Sequence, residues 1–155
     1  HQPIDQVLGT VYSPLDREHA LESTFNDAWT DTLLQKTRTD VAMSPGFRFD
    51  APTPAAGTLY EDSYLANGAI TVEDVYRFLP APLNIATGQT SAGNMKAIIS
   101  SSIDATYSLN SFAHGGGWLY GLGGLAVTVD LSKPDGQRVT KLARSNGSAL
   151  ADIDT

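Results

Sequence analysis

Cysteine is absent from the 155 residues, which removes disulfide staples, thiolate nucleophiles, zinc ribbons and iron–sulfur centres together. Histidine is scarce: His1, His19 and His114 include no pair at metal-ligand spacing, so no metal site built by this chain alone is expected. Positive charge is also in short supply. Ten Lys and Arg face 17 Asp and Glu, and the resulting net charge of −7 repels a phosphate backbone and an anionic bilayer alike. No apolar run approaches the roughly 18 residues of a membrane span, and the chain opens on His1-Gln2-Pro3 rather than on a basic leader and an apolar core. These absences lead us to expect no nucleic-acid polymer and no membrane as partner, and a soluble mature or excised piece. Serines are plentiful, but none sits in a Gly-x-Ser-x-Gly elbow.

What is present describes one globular domain: 41% of residues are hydrophobic and 17% charged, with 14 Gly and 8 Pro. Apolar positions at Leu21, Phe25, Ala28, Trp29 and Leu33 fit one face of a helix within Asp16 to Thr37. Thr39 to Ser44 reads as a short buried strand, ended by Ser44-Pro45-Gly46. Asp50 to Gly68 holds no sustained period and reads as a loop. Thr71-Val72-Glu73-Asp74 is a capping-box variant, predicting a short helix with Val72, Val75, Tyr76 and Leu79 on its apolar face, up to Pro80. A further helix is expected from Ser91, with Met95, Ile98, Ile99 and Ile103 inward. From Gly124 the period changes to two: Leu125, Val127, Val129 and Leu131 alternate with polar or small residues. The Lys133-Pro134-Asp135-Gly136 turn and the run Gln137 to Ala143 complete a predicted hairpin, and Ser145-Asn146-Gly147-Ser148 is a second turn and a formal glycosylation acceptor. There is no internal repeat.

Two features could carry chemistry. Arg48 follows the predicted buried strand in Ser44-Pro45-Gly46-Phe47-Arg48, where a guanidinium fork and the backbone N–H groups around Gly46 suit a carboxylate, phosphate or sulfur oxyanion. From spacing alone, a surface arginine paired with Asp50 is the more ordinary reading. The second is Gly115 to Gly124, where six of the 14 glycines interleave with Trp118 and Tyr120. Glycine admits close backbone approach, and the two rings offer flat contact surfaces. A loop and a bulged strand start with Trp118 in the core accounts for it equally well. It is neither a dinucleotide nor a P-loop fingerprint, because it precedes a strand and opens no helix. The adjacent carboxylates Glu61/Asp62 and Glu73/Asp74 read as solvation and helix-dipole residues.

Taken in order, these segments resemble the C-terminal domain of the 5′-nucleotidase family of bimetallic hydrolases, nearest to its SoxB-like branch, the thiosulfohydrolases of sulfur oxidation. The resemblance is carried by a helix from near Glu22, by Ser44-Pro45-Gly46-Phe47-Arg48, by Gly68-Ala69-Ile70-Thr71 with Glu73-Asp74-Val75, and by Met95-Lys96. It continues through Gly116-Gly117 and Gly123-Gly124-Leu125 to Asp135-Gly136-Gln137-Arg138-Val139. It implies an α+β fold, a mixed β-sheet packed with helices, over residues 1–155, lacking its last strand, and with the N-terminal metallophosphoesterase domain outside this chain. By the same resemblance the chain recognises and caps the substrate and has no catalytic residue of its own. Arg48 would hold an anionic phosphate or sulfur ester-type group, with Ser44, Gly46, Phe47, Trp118, Tyr120, Gly123 and Gly124 around it. Two divalent metals of the Mn or Zn type are implied for the N-terminal domain, and no cofactor for this chain. The implied partners are that domain and a small anionic substrate or a carrier-protein-bound sulfur group, in a periplasmic or secreted setting. Nucleotidases of this family carry a base-stacking aromatic after the proline corresponding to Pro80, where this chain has Ala81. From other classes, a stand-alone ligand-binding module using residues 114–124, or an assembly domain using the Asp50 to Gly68 loop, would fit the same composition.

Overall fold

The structure, a computed structural model, describes residues 3–17, 19, 21–46, 68–81, 84–115 and 117–150. Phe47, Arg48 and nearly all of the expected Asp50 to Gly68 loop lie outside them. Among the described residues the elements follow in the order β1 (Val7–Thr10), α1 (Thr24–Thr37), β2 (Ala42–Ser44), β3 (Ala69–Thr71), α2 (Val72–Phe78), α3 (Ala92–Thr106), β4 (Gly121–Gly123), β5 (Leu125–Val129) and β6 (Val139–Arg144). The class is α+β, as expected. The described strands pair as three antiparallel two-stranded ladders, β1 with β3, β2 with β4 and β5 with β6. Among the described residues no helix is long and apolar enough to cross a membrane.

The local signals that held are those whose chemistry is complete within a few residues. The Thr71 hydroxyl accepts from the Asp74 N–H at 3.2 Å while the Asp74 carboxylate accepts from the Thr71 N–H at 2.8 Å, so two orphan donors of α2 are satisfied reciprocally. The Ser91 hydroxyl caps α3 through the Asn94 N–H at 3.1 Å. The hairpin forms in the alternating register, Leu125 opposite Arg144 and Val127 opposite Leu142. Its turn is tied to α3 by Asp104, which accepts from the Gly136 N–H at 2.7 Å and faces Arg138 at 3.4 Å.

The first helix is shorter than its periodicity suggested. It starts at Thr24 after Ser23, because residues before it fold back: the Phe25 N–H donates to the Asp16 carbonyl at 3.1 Å, and the Asp16 N–H to the Thr24 hydroxyl at 3.0 Å. His19, expected on the polar side of this helix, is exposed and precedes it. Leu21 is likewise outside and exposed, Ala28 is exposed, and the buried face is Phe25, Asn26, Thr30 and Leu33. Two glycines of β4 explain the polar members of that face. A Cβ on Gly121 would meet Asn26 at 2.7 Å and one on Gly123 would meet Thr30 at 2.9 Å, so helix and strand approach too closely for larger side chains. On α2 the fully buried residue is Phe78, which the expected face omitted, while Tyr76 points to solvent. On α3 Ile98 is largely exposed, and Ser100 is buried beside Ile99 and Ile103.

Among the described residues two apolar clusters result. Ile99 and Ile103 of α3 pack with Leu125, Val139 and Leu142 of the hairpin; Leu15, Phe25 and Phe78 form the second cluster. Arg17 is fully buried at the edge of this second cluster. Its guanidinium carbon lies 4.8 Å from the centre of the Phe25 ring, its Nε donates to Asn26 Oδ1 at 3.0 Å and its Nη1 to the Phe78 carbonyl at 2.8 Å. Nothing in the polar run Asp16-Arg17-Glu18 signals a buried cation.

Candidate functional site

The β2–β4 ladder organises the residues singled out by the sequence. Ser44 lies opposite Gly121, Met43 opposite Leu122 and Ala42 opposite Gly123. Beyond the last formal pair the seam continues: the Trp118 N–H donates to the Gly46 carbonyl at 2.9 Å. The two segments are in backbone contact there, since a Cβ on Gly46 would fall 1.9 Å from the Trp118 carbonyl oxygen and 2.5 Å from that of Leu119. Gly117, at φ 108, makes the turn that brings Trp118 into this position. Two separate sequence features, the Ser44-Pro45-Gly46 run and the glycine-aromatic run, are thus one structural unit. Ser44 is buried, and its Oγ has no hydrogen-bond partner among the described residues. Trp118 and Tyr120 are half-buried.

Gly123 and Gly124 sit at the other end of β4. Gly123 is packed beneath Thr30 and Leu34, and Gly124, at φ 77, turns its α-carbon toward the Asp40 carbonyl, 2.3 Å from where a Cβ would stand. The structure therefore brings Ser44, Gly46, Trp118 and Tyr120 to one end of the ladder, and gives Gly123 and Gly124 close-packing positions at the other. Phe47 and Arg48 follow Gly46 directly in sequence and lie outside the described residues.

Sequence reasoning did not find the groove on the far side of β4. It encloses about 460 Å³, in the range of small-ligand sites, between the start of α1, the middle of α3 and the β4–β5 segment. Glu22, Asn26 and Asp27 give it one polar wall, and Leu119, Tyr120, Gly121 and Leu122 of the 114–124 segment line it too. Asp27 holds its proton above the ordinary carboxylate value of 3.8, first because of burial and then because Glu22 and Asp31 repel its charge. The sign follows from linkage. A raised folded-state value means that the native chain binds a proton more readily than the unfolded one, so stability is lost as pH rises through the Asp27 titration. Asp27→Asn is expected to stabilise the chain at pH 7 and to leave it nearly unchanged at pH 3, where both residues are neutral. Urea midpoints at the two pH values check this.

Among the described residues no three His, Cys, Asp or Glu side chains converge as a metal site would require.

A family model described as "5′-nucleotidase, C-terminal domain" matches residues 6–155. No curated protein matches the chain. Among solved structures, a 5′-nucleotidase precursor from Thermus thermophilus superposes with a TM-score of 0.67 at 24% identity, over 97% of this chain and 28% of its own. The sulfate thiohydrolase SoxB from Thermus thermophilus, in complex with glycerol, gives a TM-score of 0.74 at 19% identity, over 94% of this chain and 25% of its own. At these identities the structures establish a shared fold, and the chain spans about a quarter of the length of either relative.

Proposed function

Because the chain belongs to the 5′-nucleotidase C-terminal domain family, we propose that it is the substrate-recognition and capping part of a larger metal-dependent hydrolase acting on an anionic phosphate or sulfur ester-type substrate. The observation that carries this reading is the Gly46–Trp118 seam. It fixes Gly46, two residues before Arg48 in sequence, against the glycine-aromatic segment that carries Trp118 and Tyr120. Ser44 and Gly46 set the register, Phe47 and Arg48 meet the substrate, and Gly123 and Gly124 hold β4 close to α1 and Asp40.

The described residues of this chain offer no ligand set for the two divalent metals of the Mn or Zn type. The proposal assigns them to an N-terminal metallophosphoesterase-like domain of the parent polypeptide, in a periplasmic or secreted enzyme. The role left to this chain is positioning. Ala81, where nucleotidases of the family stack a base, favours a small sulfur anion or a carrier-protein-bound sulfur group over a nucleotide.

Hydrolysis assays of the metal-supplemented parent, with thiosulfate conjugates in one arm and nucleoside monophosphates in the other, test the reading. Turnover of the sulfur conjugates at least about tenfold above the nucleotides is expected, equivalent to about 1.4 kcal/mol of discrimination, with the 155-residue chain alone inert. Hydrolysis by the isolated chain, or by the loaded parent of neither class, would contradict it.

A further inference from the structure

The exposed turn Ser145-Asn146-Gly147-Ser148 holds one side-chain amide in a reactive setting. Its backbone closes through the Gly147 N–H, which donates to the Arg144 carbonyl at 2.8 Å, and the Arg144 N–H, which donates to the Ser148 carbonyl at 3.0 Å. The Asn146 side chain is held by its oxygen: Oδ1 accepts from the Ser148 N–H at 3.0 Å and from the Ser148 hydroxyl at 2.7 Å. Two donors on that oxygen draw electron density from Cγ and stand where negative charge would develop if Cγ were attacked. The nearest backbone nucleophile is the Gly147 nitrogen. No atom lies within 4 Å of where a Cβ on Gly147 would stand, so its approach is unhindered. Its bond to the Arg144 carbonyl restrains it, and a bond in an exposed turn opens locally at small cost. Asn110 supplies the contrast within the same chain. Its Oδ1 accepts from the Phe112 N–H at 3.0 Å, the same backbone offset, but no hydroxyl joins it and the next residue is Ser111, whose side chain crowds the nitrogen.

We propose that Asn146 is a self-modification site, where the folded turn promotes loss of the side-chain amide. The Gly147 nitrogen, its proton taken by hydroxide, bonds to Asn146 Cγ; the Cγ–Nδ2 bond breaks, and Nδ2 leaves as ammonia with a proton from water. Water then opens the cyclic imide at either carbonyl, leaving aspartate or isoaspartate at position 146. The co-reactant is water, and no electrons change hands. Aspartate keeps the bonds from Ser148 and so keeps the turn. Isoaspartate inserts a methylene into the main chain between Arg144 and Ser148, which their 3.0 Å bond and the neighbouring Ala143–Ala149 bridge cannot absorb. Leu150, which packs on the cluster of Ile99 and Ile103, lies just beyond and is released with it. Slow chemistry at one exposed amide is thereby coupled to core packing, whatever reaction the parent performs.

Incubation of the 155-residue chain in oxygen-18 water, followed by peptide mapping with fragmentation that separates aspartate from isoaspartate, tests the proposal. Label is expected to enter position 146 at least about tenfold faster than Asn94 or Asn110, with Gly147 leaving the attacking nitrogen uncrowded. Ser148→Ala removes one of the two donors to Oδ1 and should slow conversion at least about threefold, the low end of the net worth of one hydrogen bond. Ser148→Thr keeps the hydroxyl and should restore the rate. In denaturing urea the difference between Ser148→Ala and the wild type should vanish, because the donors no longer hold Oδ1. Among converted molecules, the isoaspartate form should exchange its Arg144 amide hydrogen faster than the aspartate form. Conversion at Asn146 no faster than at Asn110, or equal rates in Ser148→Ala and the wild type, would overturn the proposal. So would a Ser148 effect that persists in urea, which marks a property of the Asn-Gly-Ser sequence and not of the folded turn.

Discussion

Gly46→Ala is expected to lower kcat/KM of the proposed parent hydrolase at least about tenfold, while its bound metal stays constant. The added methyl would stand 1.9 Å from the Trp118 carbonyl oxygen and 2.5 Å from that of Leu119, and both are backbone atoms that cannot swing aside. The seam must open, with loss of the 2.9 Å bond from the Trp118 N–H. Overpacking of this kind costs about 1–3 kcal/mol. The stability loss, read from urea unfolding, falls in that range, and the activity loss is larger under the proposed function, in which Arg48, two residues on in sequence, contacts the substrate. A displacement of about 1 Å at a positioning group costs on the order of a hundredfold in rate. Activity and stability both within error of the wild type would show that the seam does not position Arg48.

Phe78→Ala is expected to destabilise the chain by about 4 kcal/mol, within the 3–5 kcal/mol usual for deleting a buried ring. Phe78 is fully buried and stacks on Phe25 with ring centres 4.0 Å apart and planes 11° apart. Its carbonyl accepts from Arg17, and Arg17 in turn rests on the Phe25 ring. Removing the ring leaves a cavity at one face of Phe25 and loosens the enclosure of a buried guanidinium, which is costly to leave poorly matched. For a domain of this size the change is about 10 °C in Tm. A loss below about 1 kcal/mol would mean that the cluster collapses around the gap and that Arg17 is not held by it.

Legibility followed the range of the interactions. The caps at Thr71 and Ser91 and the β5–β6 hairpin were readable because each is specified within a few neighbouring residues. The strands β1 and β4 were not: Val7–Thr10 and Gly121–Gly123 are too short to show a period, and their partners are remote in sequence. Arg17 was invisible for the same reason, since its burial depends on Phe78, 61 residues away. At the candidate site, Ser44, Gly46 and Arg48 were selected by an ordered resemblance, and no residue pattern could have disclosed that Gly46 lies under Trp118. The groove is built by three elements jointly, so neither its volume nor the acidic pair Glu22 and Asp27 at its end has a local signature.

The most direct test of the central claim, that this domain anchors the substrate anion for metals held elsewhere, is steady-state hydrolysis by the metal-loaded parent carrying Arg48→Ala. The account predicts a loss of about a hundredfold or more in kcat/KM, equivalent to about 3 kcal/mol for a charge-assisted contact, at unchanged metal content. An unchanged kcat/KM would contradict it.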